Sequence, residues 1–237
     1  MEKKSENLIL FFLVIFAVYC SLTLGMSWDE PYHYEDGLNR LRYSLSLGRY
    51  EYHDILHLRY YPGFYDTLAA FVSQAFPKKY EVEIHHIINL FISLSAIVGV
   101  AQITKILFNK KVSKIVFIIL FLNPIFFGHM SMNPKDPMVA FSNIWTVFFI
   151  IRYFQTQHIE KKRKYFSTLI GIVIGFGIGI RVFFLATIFP IIILFLIEIF
   201  FLKTIKNRNF SLYIFFKDFI KILLIAYFIM IIFWPNV

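Results

Sequence analysis

The sequence predicts an all-α fold, a polytopic transmembrane helix bundle of about seven spans, organised as a single domain over residues 1–237. Three observations predict it. The chain is 58% hydrophobic and only 16% charged, with a mean hydropathy of +0.65; a soluble domain is roughly 45–50% apolar and about 25% charged. The apolar residues fall in uncharged runs close to the ~20 residues that a helix needs to cross a ~30 Å hydrocarbon core. The net charge of +9 sits in short segments between those runs, where it reports membrane orientation and not nucleic-acid binding. Thirty Phe and fourteen Tyr exclude a disordered chain, and a single cysteine excludes a disulfide scaffold.

The first run, Leu8 to Met26, follows Lys3 and Lys4. It is longer than a signal-peptide core and lacks a small-x-small cleavage site, so it is expected to stay as a span. Cys20 follows the bulky Tyr19, which does not suit a lipoprotein site, and is expected to pack as a small apolar residue. Later runs cover 86–104, 115–132, 137–154, 165–180, 182–202 and 210–234. The 38 residues from Tyr165 to Leu202 would form a helix of about 57 Å, too long for one crossing. Arg181 lies near their middle beside Gly175, Gly177 and Gly179, which predicts two spans joined by a turn at Arg181. With the N-terminus cytoplasmic, 16 of the 24 Lys and Arg residues fall on the cytoplasmic side, as the positive-inside rule requires.

The first extracytoplasmic loop, Ser27 to Ile84 (residues 27–84), holds nine of the fifteen acidic residues. Patterning around 36–47 and 60–76 predicts amphipathic helices lying on the membrane surface. The Tyr60-Tyr61-Pro62-Gly63 run reads as a turn, and Trp28, Trp145 and Trp234 as interface anchors. No internal repeat, P-loop, GxGxxG turn, Cys/His zinc pattern or serine nucleophile elbow occurs.

Three features carry possible chemistry. Asp29 and Glu30 open the loop in Ser-Trp-Asp-Glu-Pro-Tyr-His. Adjacent carboxylates at a bundle mouth suit a general base or a cation, while an acid before a proline equally suits a helix N-terminus, with Pro31 at the first helical position. His33 falls one helical turn after Asp29, which permits a proton relay or metal contact, although two ligands do not make a metal site. The second feature is Asn133-Pro134-Lys135-Asp136-Pro137. Capping by Asn133 and a start at Pro134 explain two of these residues but not a Lys and an Asp at a membrane edge, where each needs a partner or a use. The third is Arg181, which either snorkels to the interface or faces a headgroup or phosphate, a group that guanidinium grips in bidentate fashion. His85 and His86 suit capping or interface hydrogen bonds.

A first span, a large outer loop opening with Asp29-Glu30, and a second acidic motif at Asp136 resemble the GT-C membrane glycosyltransferases. The nearest types are the protein O-mannosyltransferases (glycosyltransferase family 39) and the bacterial aminoarabinose-transferase-like enzymes. The Asn-Pro-Lys-Asp run and the Gly-rich stretch ending at Arg181 resemble those of bacterial members. The resemblance implies that Asp29 is the catalytic base, Glu30 its partner and Asp136 the second-loop acid. Arg181 and Lys135 become the candidates for the donor phosphate, with His33, Asn133 and His86 as accessory residues. Family members usually have eleven or more spans, so the chain, which ends at Trp-Pro-Asn-Val, reads as the N-terminal catalytic part of a longer protein.

The implied reaction is inverting transfer of a sugar from a polyprenyl-phosphate donor to a protein, lipid or glycan acceptor outside a bacterial inner membrane. No cofactor is required by this reading; a divalent cation near Glu30 or His33 is compatible with it. The partners are the lipid-linked donor, the acceptor and membrane lipids, with no nucleic acid. Two other readings stand beside it: a transporter or channel lined by Asp29, Asp136 and Arg181, and a non-catalytic assembly subunit or inactive fragment.

Overall fold

A computed structural model describes residues 2–133, 135–197 and 211–234, and among them every regular element is a helix. In chain order these are α1 (Glu2–Thr23), α2 (Glu30–Leu45), α3 (Phe64–Ser73), α4 (Glu81–Leu107), α5 (Lys110–Phe121), α6 (Pro124–Met132), α7 (Asp136–Gln155), α8 (Glu160–Ile178), α9 (Phe184–Ile197) and α10 (Leu212–Phe233). Among the described residues two helices, Lys78–Leu107 and Asp136–Gln155, are long and apolar enough to cross a membrane, and a bent pair makes a third candidate.

That bent pair covers the expected span at 115–132, but as a broken run. α5 and α6 meet at 67° instead of forming one rod. The break is written in Asn123-Pro124. Pro124 lacks the N–H that a continuing helix needs, and Asn123 caps the new helix by accepting from the Phe126 N–H at 2.9 Å. At the other long run the turn at Arg181 is present: α8 ends at Ile178 and α9 begins at Phe184. Residues 198–202 of the expected sixth span, and Pro134, expected to start the fourth, lie outside the described residues; the described part of α7 starts at Asp136. The patterned stretches of the first loop are helical as α2 and α3. Trp145 is not at a helix end. It lies midway along α7 and donates to Ser95 Oγ on α4 at 3.1 Å, so it ties two helices together instead of anchoring an interface.

Close backbone approach, not bulk, brings the long helices together. A Cβ on Gly99 of α4 would meet Ile144 of α7 at 2.6 Å. One on Gly171 would meet Ile225 at 2.9 Å, and one on Gly175 the Ala226 carbonyl at 2.9 Å, so α8 and α10 pack along a small-residue stripe. The contacts ascend together along both helices, which therefore run parallel. α4 carries a buried polar face of His85, His86, Asn89 and Ser93. Asn89 donates to the Ser131 carbonyl at 2.8 Å and Ser93 to the Met130 carbonyl at 3.1 Å. These carbonyls belong to the last turn of α6, where helix geometry leaves them without partners. Each such bond inside a membrane protein contributes about 0.6–2 kcal/mol, and together they fix where the chain enters the α6–α7 loop.

Candidate active site

The α6–α7 loop is built around Asn133. Its Oδ1 accepts the backbone N–H of both Lys135 and Asp136 at 3.0 Å, and its Nδ2 donates to Asp136 Oδ2 at 3.0 Å. Asn133 thus holds the turn that leads into α7, whose N-cap position falls to Lys135 and not, as expected, to Asn133, and it also aims the Asp136 carboxylate. Asp136 is the first residue of α7, at the positive end of the helix dipole. Arg181 follows the C-terminus of α8, at the negative end of that helix. Its Nη1 lies 2.9 Å from Asp136 Oδ1. Each partner also suits its own helix end, and about half of each side chain stays exposed, 47% for Arg181 and 60% for Asp136.

The first loop is locked to this turn. The Phe64 N–H at the start of α3 donates to the Gly179 carbonyl at 2.9 Å, and a Cβ on Gly179 would meet Phe64 Cβ at 2.9 Å. α2 and α3 also touch through backbone: a Cβ on Gly37 would lie 2.7 Å from the Asp66 carbonyl carbon. Lys135 reaches toward this layer, its Nζ 5.7 Å from the centre of the Tyr61 ring. Burial and the nearby Arg181 pull the Lys135 pKa below its ordinary value against the opposing pull of Asp66, Asp29 and Asp36. Carboxylates from the start of the loop and from α3 thus act on one ammonium.

Asp29 and Glu30, adjacent in sequence, have different surroundings. Asp29 is exposed, occupies the N-cap position of α2 without a side-chain cap bond, and accepts from Ser27 Oγ at 3.2 Å. α2 begins at Glu30, one residue before the Pro31 start that the capping alternative expects. Glu30 is buried, accepts from the Ser27 N–H, and lies 2.8 Å from His86 Nε2, whose Nδ1 is 3.1 Å from the Ser21 carbonyl. Burial raises the Glu30 pKa, but the His86 and Ser27 contacts outweigh it and hold the carboxyl below its usual range. His33 is buried against Asp66, Nδ1 to Oδ2 at 3.1 Å. The structure therefore brings Lys135, Asp136, Arg181 and Asn133 together, leaves Asp29 exposed with Ser27 as its side-chain contact, and commits Glu30, His86 and His33 to contacts that fix α2.

Several residues that sequence reasoning passed over complete the layer. Asp36 and Arg40 form a fully buried pair at 2.6 Å, with Tyr52 O–H donating to Asp36 and Arg40 Nη2 donating to the Leu58 carbonyl at 2.6 Å. Asp66 is the partner of His33. Asp36 and Arg40 stand four residues apart on a stretch expected to be helical, a readable pairing signal; the His33–Asp66 contact spans 33 residues and has none. Among the described residues, no three His, Cys, Asp or Glu side chains gather into a metal-binding group, and the residues named for a cation, Glu30 and His33, are engaged by His86 and Asp66.

No curated protein and no solved structure matches the chain. A family model, dolichyl-phosphate-mannose-protein mannosyltransferase, matches residues 46–236. The matched stretch includes Asp66, Lys135, Asp136 and Arg181 and begins after Asp29, Glu30 and His33. Because it spans most of a chain rich in apolar helices, the protein is a membrane protein that belongs to the dolichyl-phosphate-mannose-protein mannosyltransferase family.

Proposed function

We propose that the chain is an inverting glycosyltransferase that moves a sugar from a polyprenyl-phosphate donor to a hydroxyl acceptor on the extracytoplasmic face of a bacterial inner membrane. The observation that carries this reading is the gathering of Lys135, Asp136 and Arg181 beside the loop that opens with Asp29. A lipid-phosphate sugar leaves a charged phosphate, and cations aimed at that charge stabilise the transition state. Arg181 engages Asp136 through Nη1, and its remaining N–H donors suit phosphate oxygens. Lys135 adds a second cation.

Asp29 is an exposed carboxylate and is the base in this reading. It takes the acceptor hydroxyl proton as the acceptor oxygen bonds to the anomeric carbon. The bond from that carbon to the phosphate oxygen breaks on the opposite face, which inverts the centre, and polyprenyl phosphate departs with the electron pair. Glu30, held by His86 and Ser27, fixes the start of α2 and so the position of Asp29. Asp136 orients Arg181.

The topology in this reading is seven spans, with α5 and α6 counted as one broken span, α2 and α3 along the outer membrane surface, and the N-terminus cytoplasmic. Two facts support it: Asp136 and Arg181, at opposite termini of antiparallel α7 and α8, share one end of the bundle, and Arg163, Lys164, Lys217 and Lys221 gather at the other. The test is transfer in vitro from a polyprenyl-phosphate mannose donor. Removal of a general base costs about 100-fold or more, so Asp29→Asn is expected to lose at least that much while still inserting into membranes. Full activity in that variant removes Asp29 from the chemistry.

A further inference from the structure

The opposite end of α8 holds a second charged layer that the transfer reaction does not use. A cavity of about 530 Å³ opens there between α8 and α10, bounded by Glu160, Arg163, Lys164, Lys217, Asp218 and Lys221. Its two carboxylates are already occupied. Asp218 lies 3.0 Å from Arg163 Nε and accepts from the Tyr153 O–H at 3.0 Å; Glu160 lies 2.5 Å from Lys164 Nζ. Lys221 donates to three neutral oxygens, the Lys164 carbonyl at 3.0 Å, Ser167 Oγ at 3.2 Å and Thr168 Oγ1 at 2.7 Å. Among the described residues neither Lys221 nor Lys217 has a carboxylate at ion-pair distance, although Lys217 adds to the pull on the Glu160 carboxyl, so the cations around the cavity outnumber its carboxylates. Lys221 is fixed in place, whereas Lys217 is exposed and keeps its N–H donors.

The parallel course of α8 and α10 adds to this field, because both helices direct their positive dipole ends to the same side. The wall that continues from the cations along α10 is apolar and open, with Ile220 57% and Leu224 64% exposed. A fixed cation, an exposed cation and two helix N-termini above an exposed apolar strip match one chemistry: an anionic phosphate with hydrocarbon attached. We infer that this cavity is a binding site for the headgroup of an anionic phospholipid, with its acyl chains lying along Ile220 and Leu224. The inference needs these helix ends to lie at a membrane surface and does not need the chain to transfer sugar, so failure of Asp29 as a base would leave it standing.

The test uses the full-length chain purified in neutral detergent, with lipid retention read by native mass spectrometry and by thermal shift. Phosphatidylglycerol is expected to bind and raise the melting temperature, while phosphatidylcholine and inorganic phosphate do neither. A lysine at a membrane surface attracts anionic lipid with about 1 kcal/mol, equivalent to a fivefold change in affinity. Lys217→Gln is therefore expected to weaken phosphatidylglycerol about fivefold, and Lys221→Arg to retain it. Lys217 is exposed, so its replacement leaves the fold intact. Equal retention of phosphatidylcholine, equal stabilisation by inorganic phosphate, or unchanged phosphatidylglycerol binding in Lys217→Gln would each overturn the inference.

Discussion

The extracytoplasmic layer proposed for this chain holds two aspartate–arginine pairs of similar length, Asp36–Arg40 at 2.6 Å and Asp136–Arg181 at 2.9 Å, in opposite settings. The first pair is 1% exposed on both sides and is enclosed by Tyr52, Leu58 and Gly63. The second bridges two helix ends and is about half exposed. Burial decides what each pair can do. Asp36–Arg40 has its charges committed: removing one partner would strand the other in a low-dielectric site, and room for the guanidinium depends on Gly63, where an added Cβ would meet Arg40 Cζ at 2.7 Å. Asp136–Arg181 is screened by solvent, contributes little stability and leaves donors open to an incoming anion. One pair holds the loop, and the other is free to meet a ligand.

This contrast can be broken by experiment. The largest effect is expected from Arg40→Ala, which should destabilise the chain by about 3–5 kcal/mol because Asp36 is left buried and unpaired. A melting temperature in detergent equal to that of the parent would show that the pair is not structural. Gly37→Val should cost about 1–3 kcal/mol by forcing α2 off the Asp66 backbone, measured in the same melts; an unchanged melt would mean that the two helices separate freely. Acid should weaken the neighbouring Glu30–His86 contact. Glu30 has a depressed folded-state pKa, so its stabilisation is complete above the unfolded value, near 4.5, and is lost as pH falls through the folded value. Melts at pH 6 and pH 3 should therefore differ more for the parent chain than for Glu30→Gln. The smallest stability change is expected from Arg181→Ala, within about 1 kcal/mol, accompanied by a loss of donor affinity of about tenfold or more. Unchanged donor affinity, measured directly, would remove Arg181 from the phosphate site.

Much of the helical plan was legible in the sequence because it rests on local signals. The runs at 86–104, 137–154 and 210–234 coincide with α4, α7 and α10, and the Gly-rich stretch ends in the turn before α9. Asn133 and Pro31 do stand at the starts of α7 and α2, though α7 begins a few residues and α2 one residue away from the expected position. The break at Asn123-Pro124 was readable too, since proline after asparagine is a helix-start signal, but hydropathy alone merges the two helices. For the site, sequence identified Lys135, Asp136 and Arg181 individually through their cost at a membrane edge. It could not show that Arg181 meets Asp136, because that contact depends on how α7 and α8 pack. Nor could it separate Asp29 from Glu30, whose different burial is decided by His86, 56 residues away.

The hydrogen bond from the Phe64 amide to the Gly179 carbonyl has a mechanical consequence. Arg181 stands two positions beyond that carbonyl, and α3 cannot tilt without tugging on the peptide it grips. In the proposed reaction, an acceptor that displaces the loop would thus move the guanidinium as well, so donor and acceptor would sense each other through this backbone tether.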